Sequence, residues 1–336
     1  MSKPLESTTA MQSITFANAD ELIDSMDGNY IQFTIPKAEV TSSHLDVVAL
    51  GEIQILQHAF DFGGNAVGST SPEIYSFLFA TGGQVFSKGK PYLQNTLLFH
   101  PPGDEFFNHT SGPHCMLGIF IPKQIWENYL LAQFDDWKKL SPAMINVDPL
   151  KMQILRCLVR DIFEQQHLGY SLTPDKNAGE FLQRGLLHTL ANIVWPGNSS
   201  LQAHSGEKKF RMLLQAMRKI DSHLDLHLGM DEIAEDLHIS RRGLQNLFVE
   251  QLCLSPLKFM NLRRLSLARQ AIRTRHHEKT SIAEIAMRHG FWHFGRFAAT
   301  YRKTFGELPS ETISTKISPS SSIKNKLHIL DNFFFQ

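Results

Sequence analysis

The sequence predicts a two-domain α+β protein, with a β-rich N-terminal domain and an all-α C-terminal domain. Three observations predict this class: a length of 336 residues, short apolar runs in the front half, and helical periodicity after them. The apolar runs are separated by Gly and Pro, a pattern typical of antiparallel sandwiches and small barrels. They occupy residues 30–35, 44–50, 53–60, 74–80, 95–100 and 115–122. We therefore expect a β-rich part over 30–122.

The composition excludes several classes of protein. Hydrophobic residues make up 42% and charged residues 20%, which is ordinary for a globular chain. No apolar run reaches the roughly 18–20 residues of a membrane span, and residues 1–16 lack the apolar core of a secretory signal. The three cysteines, Cys115, Cys157 and Cys253, form no C-x-x-C pair. We expect no disulfide framework and a cytoplasmic location.

The overall charge is zero, but the two parts of the chain differ. Residues 1–205 hold 12 Lys and Arg against 20 Asp and Glu, whereas residues 206–313 hold 18 against 12. An acidic front and a basic rear indicate that the rear domain faces a polyanion, although a random fluctuation of this size stays an alternative.

Helices are predicted over 123–195, where two segments carry apolar stripes. In the second, Phe181, Leu182 and Leu186 share a stripe, which would pack in the core or form a dimer contact. Residues 196–209 are polar with Pro, Gly and Ser, so we predict an interdomain linker there. The domains are then 1–195 and 210–313, and the Ser-rich end, 314–336, is predicted to be a flexible tail.

Residues 229–252 carry the pattern of a helix-turn-helix. A short helix over 230–237 is followed by a turn, and Ser240 is a good N-cap for a second helix over 241–252. Polar side chains at the start of this second helix suit base edges in the major groove. We predict base recognition by Arg241, Arg242, Gln245 and Asn246, and a phosphate contact by Ser240.

Residues 280–305 repeat the pattern. A short helix over 281–288 leads to Gly290, which can adopt positive φ, and a second helix follows over 293–305. We predict base recognition by His293 and Arg296; the alternative is that His293 and Phe294 only pack or contact the DNA backbone. Arg302 and Lys303 are predicted to bind phosphates.

A single helix over 255–274 joins the two units and carries a basic face. This face also includes Arg269 and Arg273. We predict phosphate contacts by Lys258, Arg263 and Arg264, while a merely solvated face is the alternative for these three. Such a helix could hold two recognition helices about 34 Å apart, so that they enter successive major grooves.

Residues 210–313 resemble the DNA-binding domain of the AraC/XylS family of bacterial transcription regulators. The similar segments are IAEDLHISRRGLQNLF, LSPLKFMNLRRLSLAR and SIAEIAMRHGFWHFGRFAATYRKTFGELPS. Within the family, SRRGLQN and GFWHFGRFA are most similar to the ethanolamine-utilisation regulator type, but no effector is implied because the front half shows no comparable match. The sequence departs from the family at Cys253, where Gly is usual, and at Ala299, where Arg is frequent.

The resemblance implies a sequence-specific DNA-binding transcription regulator, an activator rather than an enzyme, with no cofactor. Its implied partners are double-stranded DNA, RNA polymerase, an unknown small-molecule effector and a second copy of the chain. It also implies that the front half forms a cupin-like β-barrel for the effector, followed by helices that dimerise.

Two other functions stay open: a cupin-type metal enzyme with an attached DNA-binding domain, and a ligand-independent DNA binder. The strands contain no His-x-His pair, and His100, His109 and His114 lie in a loop-rich segment, so we predict no metal site and no catalytic residue. An effector pocket could be lined by aromatic residues that ordinary core packing explains equally well: Phe77, Phe79, Phe99, Phe106 and Phe107.

Overall fold

The structure is a computed structural model, and it combines a β-rich N-terminal part with a helical C-terminal part. It describes residues 11–16, 31–34, 43–134, 143–167, 176–195, 200–202, 207–222, 229–252, 254–273 and 280–314. The predicted tail is therefore outside the described residues from 315 onward, as is Cys253.

The described residues form two antiparallel sheets. The strands are β1 (Gln12–Phe16), β2 (Ile31–Thr34), β3 (Ser43–Leu50), β4 (Ile53–Phe60), β5 (Gly64–Ser69), β6 (Ile74–Gly82), β7 (Val85–Ser87), β8 (Lys90–Pro91), β9 (Thr96–His100), β10 (Glu105–Thr110), β11 (His114–Pro122), β12 (Ala143–Asn146) and β13 (Ser200–Gln202). The eight-stranded sheet has the order β1-β3-β4-β11-β6-β9-β12-β13, and the five-stranded sheet has the order β2-β5-β10-β7-β8. Each of the six predicted apolar runs contains a strand.

Other strands form where the sequence showed no apolar run. Residues 105–110, predicted as loop-rich, form β10, which pairs with β5 and β7. Within the predicted linker, Ser200–Gln202 form β13 against β12, and a helix begins at Glu207. These short, polar strands form because a neighbouring strand satisfies their backbone groups.

Three helices cover one face of the eight-stranded sheet: α1 (Lys123–Gln133), α2 (Pro149–His167) and α3 (Lys176–Val194). Trp126 of α1 is fully buried with Phe77 and Phe99 in this core. Phe181, in the stripe predicted to pack in the core or to form a dimer contact, is 77% exposed, so it does not pack in the core, and the dimer contact stays a prediction. No helix among the described residues has the length and apolar character needed to span a bilayer.

The C-terminal part consists of helices α4 (Glu207–Ser222), α5 (Met230–Asp236), α6 (Arg241–Leu252), α7 (Pro256–Arg273), α8 (Ile282–Arg288), α9 (Phe294–Phe305) and α10 (Pro309–Ser314). They form two buried clusters. Helix α7 contributes Phe259 to the first cluster, with α4 to α6, and Leu265 and Ile272 to the second, with α8 and α9. One helix thus belongs to both cores and ties the two helix pairs together.

The five-stranded sheet lies against the C-terminal helices. Phe107 of β10 is fully buried in the same cluster as Leu213 and Phe248, and Val67 of β5 packs against that cluster. An ion pair between Glu105 and Arg218 borders the contact. The outer face of this sheet is therefore part of the core of the first helix pair.

Candidate functional site

The first helix pair, α5 and α6, has the geometry predicted from its sequence. Ile233 and Ala234 of α5 are buried with the inner side of α6. The backbone N–H of Ile239 donates to the carbonyl of Ala234 at 3.0 Å, which closes the turn. The Ser240 hydroxyl accepts a hydrogen bond from the Gly243 N–H at 3.0 Å, as an N-cap does.

The polar residues at the start of α6 are exposed. Arg242, Gln245 and Asn246 make no side-chain hydrogen bond or ion pair within the described part of the chain, so their polar groups are available to a partner. Arg241 lies 3.2 Å from Asp231, and both side chains are about two-thirds exposed (68% and 67%). An exposed pair of this kind is weak and can exchange for a phosphate or base.

The second helix pair, α8 and α9, repeats this geometry. The Phe291 N–H donates to the Ala286 carbonyl at 2.9 Å, the counterpart of the bond between Ile239 and Ala234. Ser281 and Glu284 form a capping box, and the hydrogen bonds from Ser281 lower the pKa of the Glu284 carboxyl.

The predicted base-reading residues of this second pair lie at the start of α9. His293 and Arg296 are exposed there. The start of α9 thus presents them to solvent, as α6 presents Gln245.

The predicted phosphate-binding residues divide into two groups. Lys258, Arg302 and Lys303 are exposed. Arg263 instead donates to Asp221 at 2.9 Å and its side chain is only 12% exposed, while the guanidinium of Arg264 packs at the Gly290 turn. Phosphate binding by these two arginines stays a prediction, and it would compete with contacts inside the protein.

Arg269 does not lie on an exposed basic face. It is 8% exposed, donates to Glu307 at 2.8 Å and stacks 4.5 Å from the centre of the Phe305 ring. Removing Glu307 would therefore destabilise the second helix pair, because it would leave the buried charge of Arg269 without its partner.

The two turns give a paired stability prediction. His238 adopts φ of +53°, which costs a residue with a side chain roughly 1–2 kcal/mol. We expect His238→Gly to raise the free energy of unfolding by about 0.5–1 kcal/mol, since the added freedom of glycine in the unfolded chain offsets part of the gain.

At the other turn, Gly290 has φ of +80° and an added Cβ would lie 3.3 Å from Arg264 Cζ. We expect Gly290→Ala to lower the free energy of unfolding by about 1–2 kcal/mol. Urea unfolding of His238→Gly and Gly290→Ala measures both changes in the free energy of unfolding. A loss of stability in His238→Gly would contradict the prediction.

A cavity of about 150 Å³ lies between the two sheets. Successive side chains of β6 point to opposite faces of the eight-stranded sheet. Phe77 and Phe79 face the helices, whereas Ser76 and Leu78 line the cavity. Of the five aromatic residues considered for a pocket, only Phe106 lines this cavity. Phe77, Phe79 and Phe99 pack under the helices, and Phe107 packs against the C-terminal part.

The three histidines of 100–114 have separate partners. His100 donates from Nδ1 to Asp104 Oδ2 at 2.6 Å, and His109 Nδ1 lies 2.8 Å from Asn65 Oδ1. His114 Nδ1 lies 3.2 Å from the carbonyls of Phe62 and Gly112. Within the described ranges, no three His, Cys, Asp or Glu side chains are arranged to hold a metal ion.

Burial, together with the neighbouring His114, lowers the pKa of His58, which lines the cavity, to about 3. The folded chain therefore binds fewer protons than the unfolded chain below the ordinary histidine pKa, so stability falls as the pH drops. From pH 7 to pH 5 we expect His58 to account for a loss of about 2 kcal/mol. Urea unfolding at both pH values should show a smaller loss in His58→Leu than in the exposed control His44→Leu; equal losses would contradict this.

Sequence reasoning named Phe106 but missed the polar residues of the cavity, and it considered His100 only as a metal ligand. His58, His100 and Asn108 are polar residues in strands, each at a position that faces the cavity. The signal available in the sequence was a polar side chain at alternate positions of an apolar run, but the opposing strand that completes the cavity is distant in sequence.

Comparisons with known proteins concern mainly the C-terminal helices. Residues 233–315 match the family described as a helix-turn-helix domain. The XylDLEGF operon transcriptional activator of Pseudomonas putida is 35% identical over 108 residues, which are 32% of this chain and 33% of that protein. The match thus spans about a third of the length of that relative.

Two further proteins are similar. The HTH-type transcriptional activator RhaS of Escherichia coli O6:H1 is 28% identical over 247 residues, 71% of this chain and 84% of that protein. A crystal structure of a transcriptional regulator from Chromobacterium violaceum, described as containing an AraC-type DNA-binding domain, is 29% identical. It covers 34% of this chain and 99% of its own, with a TM-score of 0.31.

Proposed function

The chain belongs to the AraC/XylS family of bacterial transcription regulators, and we propose that it is a transcriptional activator that binds specific DNA sequences. In this proposal residues 210–313 bind DNA through two helix-turn-helix units. Residues 1–195 respond to a small-molecule effector in a cupin-like β-rich domain and dimerise. Its place of action is then the cytoplasm, with the DNA.

One observation carries the proposal: two helix pairs with the same turn geometry present polar side chains at the starts of their second helices. The bonds from Ile239 to Ala234 and from Phe291 to Ala286 are equivalent, at 3.0 and 2.9 Å. Arginine and glutamine side chains at such positions can hydrogen-bond guanine and adenine edges. Helix α7 packs in both cores and so links the two helix pairs, which supports the proposal that α6 and α9 enter successive major grooves.

The five-stranded sheet supplies a physical route from effector to DNA. On β10, Phe106 and Asn108 line the cavity, while Phe107 between them is buried against the C-terminal helices. On β5, Ala66 lines the cavity and Val67 packs on the same helices. A ligand that shifts these strands therefore acts on the core beneath α6. This coupling favours an effector-responsive regulator over a ligand-independent DNA binder.

We also propose that the chain forms a dimer and contacts RNA polymerase. Helices α2 and α3 expose large apolar side chains, including Ile154 at 51% and Phe181 at 77%. Exposed apolar side chains of this kind suit contact with a second copy. Sedimentation equilibrium of the chain and of Phe181→Asp tests dimerisation, and a monomeric wild-type chain would exclude it.

Selection of bound sequences from random double-stranded DNA, using the full chain, tests the proposed function. We expect an enriched motif with two blocks about one helical turn apart, and an affinity that falls steeply with salt concentration. Failure to enrich any sequence at low salt would overturn the proposal.

A further inference from the structure

The cavity between the sheets has mostly apolar walls. Leu56, Leu78, Met116 and Phe120 supply apolar surface from the eight-stranded sheet. Its volume of about 150 Å³ is that of an apolar protein cavity that binds benzene. The space therefore suits one ring or a short alkyl chain.

Four buried polar atoms in these walls have no hydrogen-bond partner among the described residues: Nε2 of His58, Nδ2 of Asn65, Nε2 of His100 and Oδ1 of Asn108. Nδ1 of His100 donates to Asp104, and Nε2 of the same ring is buried and unpaired. Oδ1 of Asn108 is also buried and unpaired. His100 comes from β9 and Asn108 from β10, so both sheets offer an unpaired polar atom. Such atoms are costly to leave unpaired. A ligand hydroxyl can donate to Oδ1 of Asn108 and can accept from Nδ2 of Asn65.

The cavity offers no positive charge to an anion. Among the described residues that line it there is no Lys or Arg. Lys88 lies 3.9 Å from Asp104, the partner of His100, and is not part of the lining. His58 is neutral at pH 7 because burial lowers its pKa to about 3. A carboxylate would thus be buried without a counter-charge, which is strongly unfavourable.

We propose that this cavity binds a small uncharged molecule, one ring or a short alkyl chain in size, that carries at least one hydroxyl group. The apolar walls hold its body, and its hydroxyl donates to Oδ1 of Asn108. The inference rests on the proposed function only in treating the cavity as the effector site; the binding itself requires no DNA.

Isothermal titration calorimetry of the full chain tests the inference with three probes of one shape: benzyl alcohol, toluene and benzoate. Toluene lacks the donor, and benzoate replaces it with a charge. We expect benzyl alcohol to bind at least about tenfold more tightly than either, since one unpaired buried group costs about that factor. Equal binding of toluene, tighter binding of benzoate, or no binding of benzyl alcohol would each overturn the proposal.

A variant pair assigns the hydroxyl contact. We expect Asn108→Leu to weaken benzyl alcohol binding about tenfold and to leave toluene binding unchanged. The matched control, Asn146→Leu, changes an exposed residue outside the cavity lining and should change neither affinity. Circular dichroism and thermal unfolding establish that each variant folds, and the wild-type comparison of probes stands without them. Selective DNA binding without benzyl alcohol binding would overturn this inference and leave the proposed function standing.

Discussion

Replacing Gln245 by alanine is expected to weaken binding to the selected DNA site by about 1–3 kcal/mol and to relax the base preference at one position. Gln245 is exposed on α6 and makes no side-chain bond within the described residues, so its amide is free to pair with an adenine edge. Arg242→Ala should have an effect of the same size at a neighbouring position, where a guanine loses its two acceptor contacts. Fluorescence anisotropy with a panel of single-base variants of the site measures both.

Two control variants separate base recognition from electrostatic binding that is the same for all DNA sequences. Gln215→Ala removes an exposed glutamine from α4 and should leave both affinity and specificity unchanged. Arg302→Ala should weaken binding to all sequences alike and reduce the salt slope by about 1, as loss of a phosphate contact does. If Gln245→Ala weakened every sequence equally, Gln245 would not be reading a base.

Replacing Phe107 by alanine is expected to lower the free energy of unfolding by about 3–5 kcal/mol. The side chain is fully buried among α4, α6 and α7, so its removal leaves a void that a packed core cannot fill. Urea unfolding followed by circular dichroism measures the loss. The same variant should uncouple ligand binding from DNA affinity, because Phe107 joins β10 to the core beneath α6.

Phe106→Ala is the matched control, since Phe106 is the next residue and lines the cavity instead. We expect it to weaken ligand binding while amide hydrogen exchange in α6 stays slow. In Phe107→Ala, exchange in α6 should accelerate. Unchanged protection of α6 in Phe107→Ala would contradict the role assigned to Phe107.

The helix pairs could be predicted in detail because their signals are local. Helix α6 begins and ends at the predicted residues, Arg241 and Leu252, because a cap and an apolar period within one segment specify them. Gly290 could be assigned to a turn because few residues tolerate its backbone conformation. Six strands were predicted for the same reason, since each is an apolar run bounded by Gly or Pro.

The features that local sequence patterns did not predict depend on partners that are far away in the chain. The helical pattern places Arg263 and Arg269 on an exposed basic face. In the structure, Arg263 pairs with Asp221 and Arg269 pairs with Glu307. Strand β10 is short and polar and forms because β5 offers it a partner edge. Phe181 fits an apolar stripe and is nevertheless exposed, because no described element covers its side of α3.

Local sequence patterns were enough to specify the side chains at the start of α6, for which we propose DNA recognition, and the turns that precede α6 and α9. Packing between distant segments settled the rest, namely which arginines are neutralised within the protein, and where the cavity lies. It also settled that Phe107 joins the cavity wall to the helices. The reason is range: caps and periodicity act over a few residues, whereas ion pairs, sheet edges and buried voids exist only once remote segments meet.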